Sequence, residues 1–393
     1  MRPAISHFAC AVIAALFLPV IASRTLAQSE PFIVHDTRPV ITHGPVLVDP
    51  SETGVTVVWT TDTPSHSEVR YGAGTALDQR AESTHHGLID IGTVHAIRIT
   101  GLAPGRTYHY QVASTPVVKM KAYWPEKGLE LASPVYSFTT LDRARREVHF
   151  SSITDTHENV ARIDSLMRII DWRTTDFLVQ TGDAFDWLDS GEQIFAKWLD
   201  PVGAGLANTK ALVFARGNHE YRGPFARELF TYVPVEEGRF YYERDHGPVH
   251  FFVLDSGEDK PDSTNVYSRL NRSEPYLATQ LAWLAGRAKA NPRAAGAPFR
   301  VALVHQPNWG AMSGGRAWWR AAANGAKVDL VIAGHTHKFS RTNAGTDGMQ
   351  FTTVVVGQGQ VANVTANALT LTVIVKSATG AVVDSVTIAR RRK

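Results

Sequence analysis

Between residues 148 and 337 this sequence repeats one local pattern five times: a short β-rich run, then a turn that carries metal-ligating side chains. Val148-His149-Phe150 leads to Asp155-Thr156-His157, and Phe177-Leu178-Val179 leads to Gly182-Asp183-Ala184-Phe185-Asp186. Ala211-Leu212-Val213-Phe214 leads to Gly217-Asn218-His219-Glu220. Val301-Ala302-Leu303-Val304 ends in His305, and Leu330-Val331-Ile332 ends in Gly334-His335-Thr336-His337. In an open α/β sheet such turns gather at the carboxyl edge, so residues far apart in sequence can meet around one ligand. Helical spacing between the runs supports that class. It covers 160–172, with Ile163, Leu166, Ile169 and Ile170 on one side, then 193–199, and 276–288 with Leu277, Leu281 and Leu284. Alternating strand and helix implies a layered α/β fold.

The gathered side chains define the chemistry. Carboxylates (Asp155, Asp183, Asp186), an amide (Asn218) and the imidazoles of His157, His219, His305, His335 and His337 form a nitrogen and oxygen set without sulfur. Such a set suits Zn, Fe or Mn and excludes a cysteine-type structural zinc or an iron–sulfur cluster. It is too large for one cation and fills two. A carboxylate such as Asp183 can bridge cations about 3.5–4 Å apart, the spacing used for displacement at phosphorus.

Composition sets the outer bounds. The 393 residues carry 40 basic and 37 acidic side chains, a net charge of +3. No basic stripe is present, which gives no electrostatic case for nucleic acid. Residues 1–27 read as a secretory signal: Arg2, an apolar run from Phe8 to Ala22, and short-chain exits at Ala22 and Ala27. Arg24 interrupts the run before it reaches a membrane-spanning length, so no span is expected after cleavage. Cys10, the single cysteine, lies in this segment, and the mature chain has no disulfide to form. The expected destination is a periplasm or the cell exterior. The basic end, Arg390-Arg391-Arg392-Lys393, reads as a disordered, solvated tail.

The region from about 40 to 140 is all-β in texture. Val55-Thr56-Val57-Val58-Trp59-Thr60, Ser67-Glu68-Val69-Arg70-Tyr71, His95-Ala96-Ile97-Arg98-Ile99-Thr100 and Thr107-Tyr108-His109-Tyr110-Gln111-Val112 are punctuated by Gly and Pro as in a sandwich. The stretch 117–131 is longer than a hairpin needs and reads as an insertion, and 141–147 reads as a linker. Between the third and fourth metal-ligating turns, 249–255 is a buried strand and 256–274 is a polar loop long enough to lie over a site. Three more strands, 351–356, 369–375 and 382–388, are expected to complete the second sheet, the last two joined at Thr379-Gly380.

Taken in order, D-x-H, G-D-x-x-D, G-N-H-E, a lone His behind an apolar strand, and G-H-x-H resemble the calcineurin-like metallophosphoesterase superfamily over roughly residues 148–360. Trp59 and the Gly101-Leu102-Ala103-Pro104-Gly105-Arg106-Thr107-Tyr108 turn resemble a fibronectin type III-like module, the small N-terminal domain of purple acid phosphatase relatives, with Tyr108 as its corner tyrosine. The resemblance implies a four-layer α/β sandwich domain at 147–390 behind an all-β sandwich at 38–141. It implies two divalent or trivalent ions (Fe, Zn or Mn), one held by Asp155, His157, Asp183 and His337, the other by Asp183, Asn218, His305 and His335. Asp183, His219 and Glu220 form the implied catalytic set. A hydroxide between the ions attacks phosphorus, His219 protonates the leaving group or contacts the phosphate, and Glu220 fixes the His219 tautomer.

The chain departs from the purple acid phosphatases at two positions. Asp186 stands where they place an iron-binding tyrosine, and His157 where their first motif ends in glycine. No tyrosinate ligand and no purple chromophore are therefore expected, and Asp186 supports a ligand instead of being one. Arg341 is as consistent with a salt bridge as with a phosphate contact. Among the tryptophans, Trp309 is the best candidate for lining a leaving-group pocket, because it closely follows His305. His85, His86, His246 and His250 read as surface or core histidines. The implied function is hydrolysis of a small phosphate monoester. A phosphodiesterase or nuclease would use the same core, and a surface-binding protein with a vestigial core is the alternative from a different class.

Overall fold

The computed structural model describes residues 32–310 and 312–391. The signal segment 1–27, with Cys10, and residues 392–393 of the basic end lie outside the described residues. Among the described residues no helix is long and apolar enough to cross a membrane.

The N-terminal region is built around one 18-residue strand, Val55–Gly72, whose two halves take different neighbours. Its first half pairs with Ile41–Val48 and Ile91–Ile99. Its register breaks between Thr60 and Ser65, and the second half pairs with Gln79–Glu82 and Thr107–Lys119. Between the two halves lie Val57, Trp59, Val69, Tyr110, Val112 and Phe138, all buried. The Trp59 indole cannot leave its N–H bare in this core, and it donates to Ser114 Oγ at 3.1 Å. The Tyr108 hydroxyl accepts from the Ala103 N–H at 3.0 Å, the corner contact expected for it.

From residue 147 onward two sheets stack face to face. Strands Glu147–Ile153, Phe177–Thr181 and Ala211–Ala215 run parallel in the first. Val249–Val253, Phe299–Leu303, Leu330–Ala333 and Thr352–Val355 run parallel in the second. These strands are almost wholly buried, as parallel strands covered on both faces must be. Alternation along each strand sorts its side chains into layers. Val301 and Leu303 face the other sheet beside Phe150, Val179 and Val213. Ala302 and Val304 face outward onto Leu277, Leu281 and Trp319 of helices Ser273–Ala290 and Gly315–Gly325. The first sheet is covered likewise by Ile163 and Leu166 of helix Val160–Ile169 and by Val202 and Leu206 of helix Asp200–Leu206. Helix, sheet, sheet, helix is the expected four-layer order.

Several local expectations are corrected. Only Thr352–Val355 joins the second sheet. Strands Thr370–Ser377 and Val382–Ala389, with the unanticipated Gln360–Asn367, extend the first sheet antiparallel beside Glu147–Ile153. Their alternating burial suits an antiparallel margin with one face exposed. The helical run expected at 193–199 is the π-wound middle of a longer one, between Gly191–Ile194 and Asp200–Leu206. The basic end is not loose at Arg391, whose guanidinium pairs with the buried Asp329 at 2.8 Å and caps the Val328 and Gln350 carbonyls. The insertion at 117–131 folds back, with Glu126–Lys127 and Leu131–Ala132 pairing onto Thr107–Lys119.

The two regions share a backbone seam. Leu47 and Val48 pair in parallel with Ala211 and Leu212, so the sandwich continues the first sheet. Across this seam the buried Asp49 carboxylate meets Arg244, Arg98 bonds Glu236 at 2.7 Å, and His43 bonds Asp200 at 2.7 Å.

Candidate metal centre

All five turns converge at the carboxyl edge of the stacked sheets, and the backbone there is strained in a consistent way. Asp155, His157, Asp183, His335 and His337 adopt left-handed conformations, with φ of 51°, 46°, 50°, 74° and 59°. Such conformations are costly for residues with a Cβ and persist where surrounding structure enforces them. Here they swing consecutive side chains inward. The glycines that precede Asp183, Asn218 and His335 are required by close approach. A Cβ on Gly334 would sit 2.0 Å from Thr154 Oγ1, and one on Gly217 would sit 2.3 Å from Asp183 Oδ1.

The seven expected ligands form two adjoining groups. In the open group His337 Nε2 lies 3.3 Å from Asp155 Oδ1 and 3.1 Å from His157 Nε2. In the buried group His305 Nε2 lies 2.9 Å from Asp183 Oδ2, and His335 Nδ1 lies 3.0 Å from Asn218 Oδ1. The groups interlock: the His335 N–H donates to the Asp155 carboxylate, and the His157 N–H donates to the Asp183 carbonyl. His337 is 47% exposed at its side chain, whereas His305 and Asp155 are completely enclosed.

This arrangement fits cations. His305 Nδ1–H donates to the Thr181 carbonyl at 2.8 Å, which leaves Nε2 aimed at Asp183 with no hydrogen-bond partner among the described residues. A bare imidazole lone pair and a carboxylate oxygen at that separation repel unless a proton or a cation lies between them. Burial opposes charge on His305, but the Asp183 carboxylate prevails and lifts the imidazole to about 10. Asp183 in turn is held below the usual carboxylate range by His305, against the opposing effect of burial. His157 repeats the geometry: Nδ1 donates to Asp186 Oδ1 at 2.7 Å and Nε2 is left facing His337 and Asp155. Asp186 thus aims a candidate ligand, and it also stands with His157 and His219 in a third group that could hold a cation.

Glu220 does not touch His219, so its expected role in fixing that tautomer is corrected. Its enclosed carboxylate accepts from three backbone N–H groups: Asp183 at 3.0 Å, Ala184 at 2.6 Å and Gly217 at 2.7 Å. It clamps the Asp183 turn to the Asn218 turn. Burial and the neighbouring Asp183 charge raise it to about 7. The His219 tautomer is set by other groups. Its Nδ1–H donates to the Asp186 carbonyl at 2.7 Å, and its Nε2 accepts from Arg222 at 3.0 Å. Arg222 is itself gripped by Glu258, at 2.9 Å through both oxygens, and by Asp259 at 2.9 Å, both from the 256–274 loop.

Arg222 escaped the sequence reading, yet a signal was present. His219–Tyr221 is a 3₁₀ turn, in which residues three apart eclipse, so Arg222 falls beside His219. Trp309 is not a pocket wall. It is enclosed and stacks on Trp319 with centroids 5.0 Å apart. Arg341 pairs with Asp384 at 3.4 Å, away from the strand ends. His246 and His250 are core residues, the latter bonded to Asp245 at 2.7 Å.

Comparison with known proteins gives this geometry its context. The profile described as calcineurin-like phosphoesterase matches residues 150–339, and that of the purple acid phosphatase N-terminal domain matches 45–140. Acid phosphatase type 7 of Homo sapiens is 26% identical over 333 residues, covering 78% of this chain and 66% of the relative. The Mus musculus acid phosphatase type 7 is 25% identical over 272 residues, covering 64% of this chain and 56% of that protein. The chain thus spans 56% to 66% of the length of these curated relatives. Among solved structures, the purple acid phosphatase PPD1 from yellow lupin seeds superposes with a TM-score of 0.63 at 17% identity. That match covers 90% of this chain and 74% of the other, and at this identity the likeness is one of fold.

Proposed function

For a chain that carries a calcineurin-like phosphoesterase domain behind a purple acid phosphatase N-terminal domain, we propose hydrolysis of a small phosphate monoester at a two-cation centre. The observation that carries this reading is the gathering of donor groups at one sheet edge, Asp155 with His157 and His337, and Asp183 with His305 and His335, with imidazole nitrogens left aimed at carboxylates. Asp155, His157, Asp183 and His337 would hold one cation, and Asp183, Asn218, His305 and His335 the other. Two such ions supply Lewis acidity toward phosphoryl oxygens and make a water acidic enough to attack near neutral pH.

The chain's own groups do the positioning. Thr181 aims His305, Asp186 aims His157, and Glu220 locks the turns that carry Asp183 and Asn218. The part-exposure of His219, 23% at its side chain, and its place 3.8 Å from Asp183 Oδ2 support a substrate-facing role. In the tautomer found, Nδ1–H is engaged by the Asp186 carbonyl and Nε2 accepts from Arg222, so the guanidinium is the donor of this pair left for a phosphate. To protonate a leaving oxygen, His219 would exchange the Arg222 bond for a proton at Nε2. Fixed groups of this kind act through positioning and electrostatics, the main sources of catalysis in phosphoryl transfer.

The monoester preference is supported by the N-terminal domain and by the names of the relatives, which are acid phosphatases. Export is supported by the signal-like segment at 1–27. The deciding assay compares nitrophenyl phosphate with the bis-nitrophenyl diester after loading with Mn, Zn or Fe. Faster monoester turnover is expected. Turnover of neither ester, or fewer than one metal equivalent after reconstitution, would overturn the reading.

A further inference from the structure

We propose that the cavity beside Arg222 receives the alcohol part of the substrate, and that this alcohol carries an aryl or extended apolar body; this rests on the phosphoesterase reading above. The cavity, of about 470 Å³, lies between Tyr221 and Arg222 on one side and Val266, Tyr267 and Leu270 on the other, with Arg227 at one end. Its volume lies within the range of small-molecule sites and suits a one- or two-ring group. Continuity with the centre is direct, because the guanidinium that forms one wall also donates to His219 Nε2. An ester whose phosphoryl group meets His219 can place its alcohol against that wall.

The 256–274 loop is built to hold this space open. Its near end is tied to the residue after His305: Gln306 Nε2 donates to the Gly257 carbonyl at 2.7 Å, and its backbone N–H to Ser256 Oγ at 3.0 Å. At its far end Arg227 donates to the Leu270 carbonyl at 3.4 Å. Between these ties Val266 and Leu270 are left 70% and 72% exposed on the cavity wall. The charge balance decides what kind of group fits. Arg222 is already neutralised by Glu258 and Asp259, and Lys260 by Asp259 at 2.6 Å. The wall at Arg222 is therefore no trap for a second phosphate; the lining cation without an acidic partner among the described residues is Arg227, at the far end against the Leu270 carbonyl, and the uncovered area between is apolar.

The test uses full-length, metal-loaded protein and the double variant Val266→Asp with Leu270→Asp, both exposed positions where substitution spares the core. The kcat/KM for 2-naphthyl phosphate relative to glycerol 2-phosphate is expected to fall about tenfold through KM, about 1.4 kcal/mol. Titration calorimetry with naphthylmethylphosphonate and methylphosphonate gives a readout that needs no turnover, and the variant should lose about tenfold of its preference for the aryl ligand. A preference unchanged within twofold would overturn the proposal. If wild-type protein hydrolyses neither ester, the phosphoesterase reading falls, and the phosphonate titration still decides the cavity.

Discussion

Two enclosed histidines show how differently the two regions of this molecule are built. His95 lies in the sandwich with its ring 5.1 Å from Trp59 and its Nε2 2.9 Å from Thr61 Oγ1. Burial alone pushes it down to about 4, so it is neutral. His305 is at least as enclosed, yet Asp183 beside it raises it to about 10. Burial alone therefore does not set the direction of the shift; the partner does. The sandwich buries apolar area and satisfies its few polar atoms with hydroxyls. The strand edge buries opposed charges and left-handed backbone, both of which cost stability.

The largest expected effect breaks the strand edge alone. Asp183→Asn should lower turnover on the order of a thousandfold, and metal analysis should find both cations lost. His219→Ala, by contrast, should retain the metals while losing about a hundredfold in kcat. A His219→Ala protein purified without metal would refute its assignment as a substrate-facing group. Trp59→Ala probes the other region. It should cost about 3–5 kcal/mol in urea unfolding while kcat per folded molecule stays within about twofold.

The smallest effect sharpens the contrast through pH. The folded-state pKa of His95, about 4, lies below its ordinary 6.5. The unfolded chain therefore binds the extra proton between those values, and the stability that neutral His95 contributes is complete above pH 6.5 and lost as pH falls toward 4. The difference corresponds to about 3 kcal/mol. Urea midpoints at pH 7 and pH 4.5 should differ less in His95→Gln than in the parent. An unchanged pH slope would show that His95 is not the group responsible.

The strand-edge residues were legible because each ligand sits next in sequence to the strand that delivers it. Asp155, Asp183, His305 and His337 need no distant information to be placed at one edge. What could not be read depended on pairing across the chain. Glu220 clamps backbone 36 and 37 residues away, and the grip of Glu258 on Arg222 spans 36. Strand periodicity showed that 370–377 and 382–389 alternate, but not which sheet they join. The seam at Leu47 and Val48 was hidden for the same reason. Trp309 misled because nearness in sequence to His305 did not reveal its stacking on Trp319.

That seam has a practical consequence for anyone dividing the molecule into parts. The chain suggests a cut near residue 141, but such a cut would strip a neighbour from strand Ala211–Ala215 and leave its amides and carbonyls bare along that flank. Bare flanks recruit foreign strands and drive clumping. It would also strip Arg244 of its buried counter-charge Asp49, which belongs to the discarded piece, and leave it only the more exposed Glu237. The half that carries the candidate metal centre should therefore be recoverable in dispersed form only when its leading module travels with it.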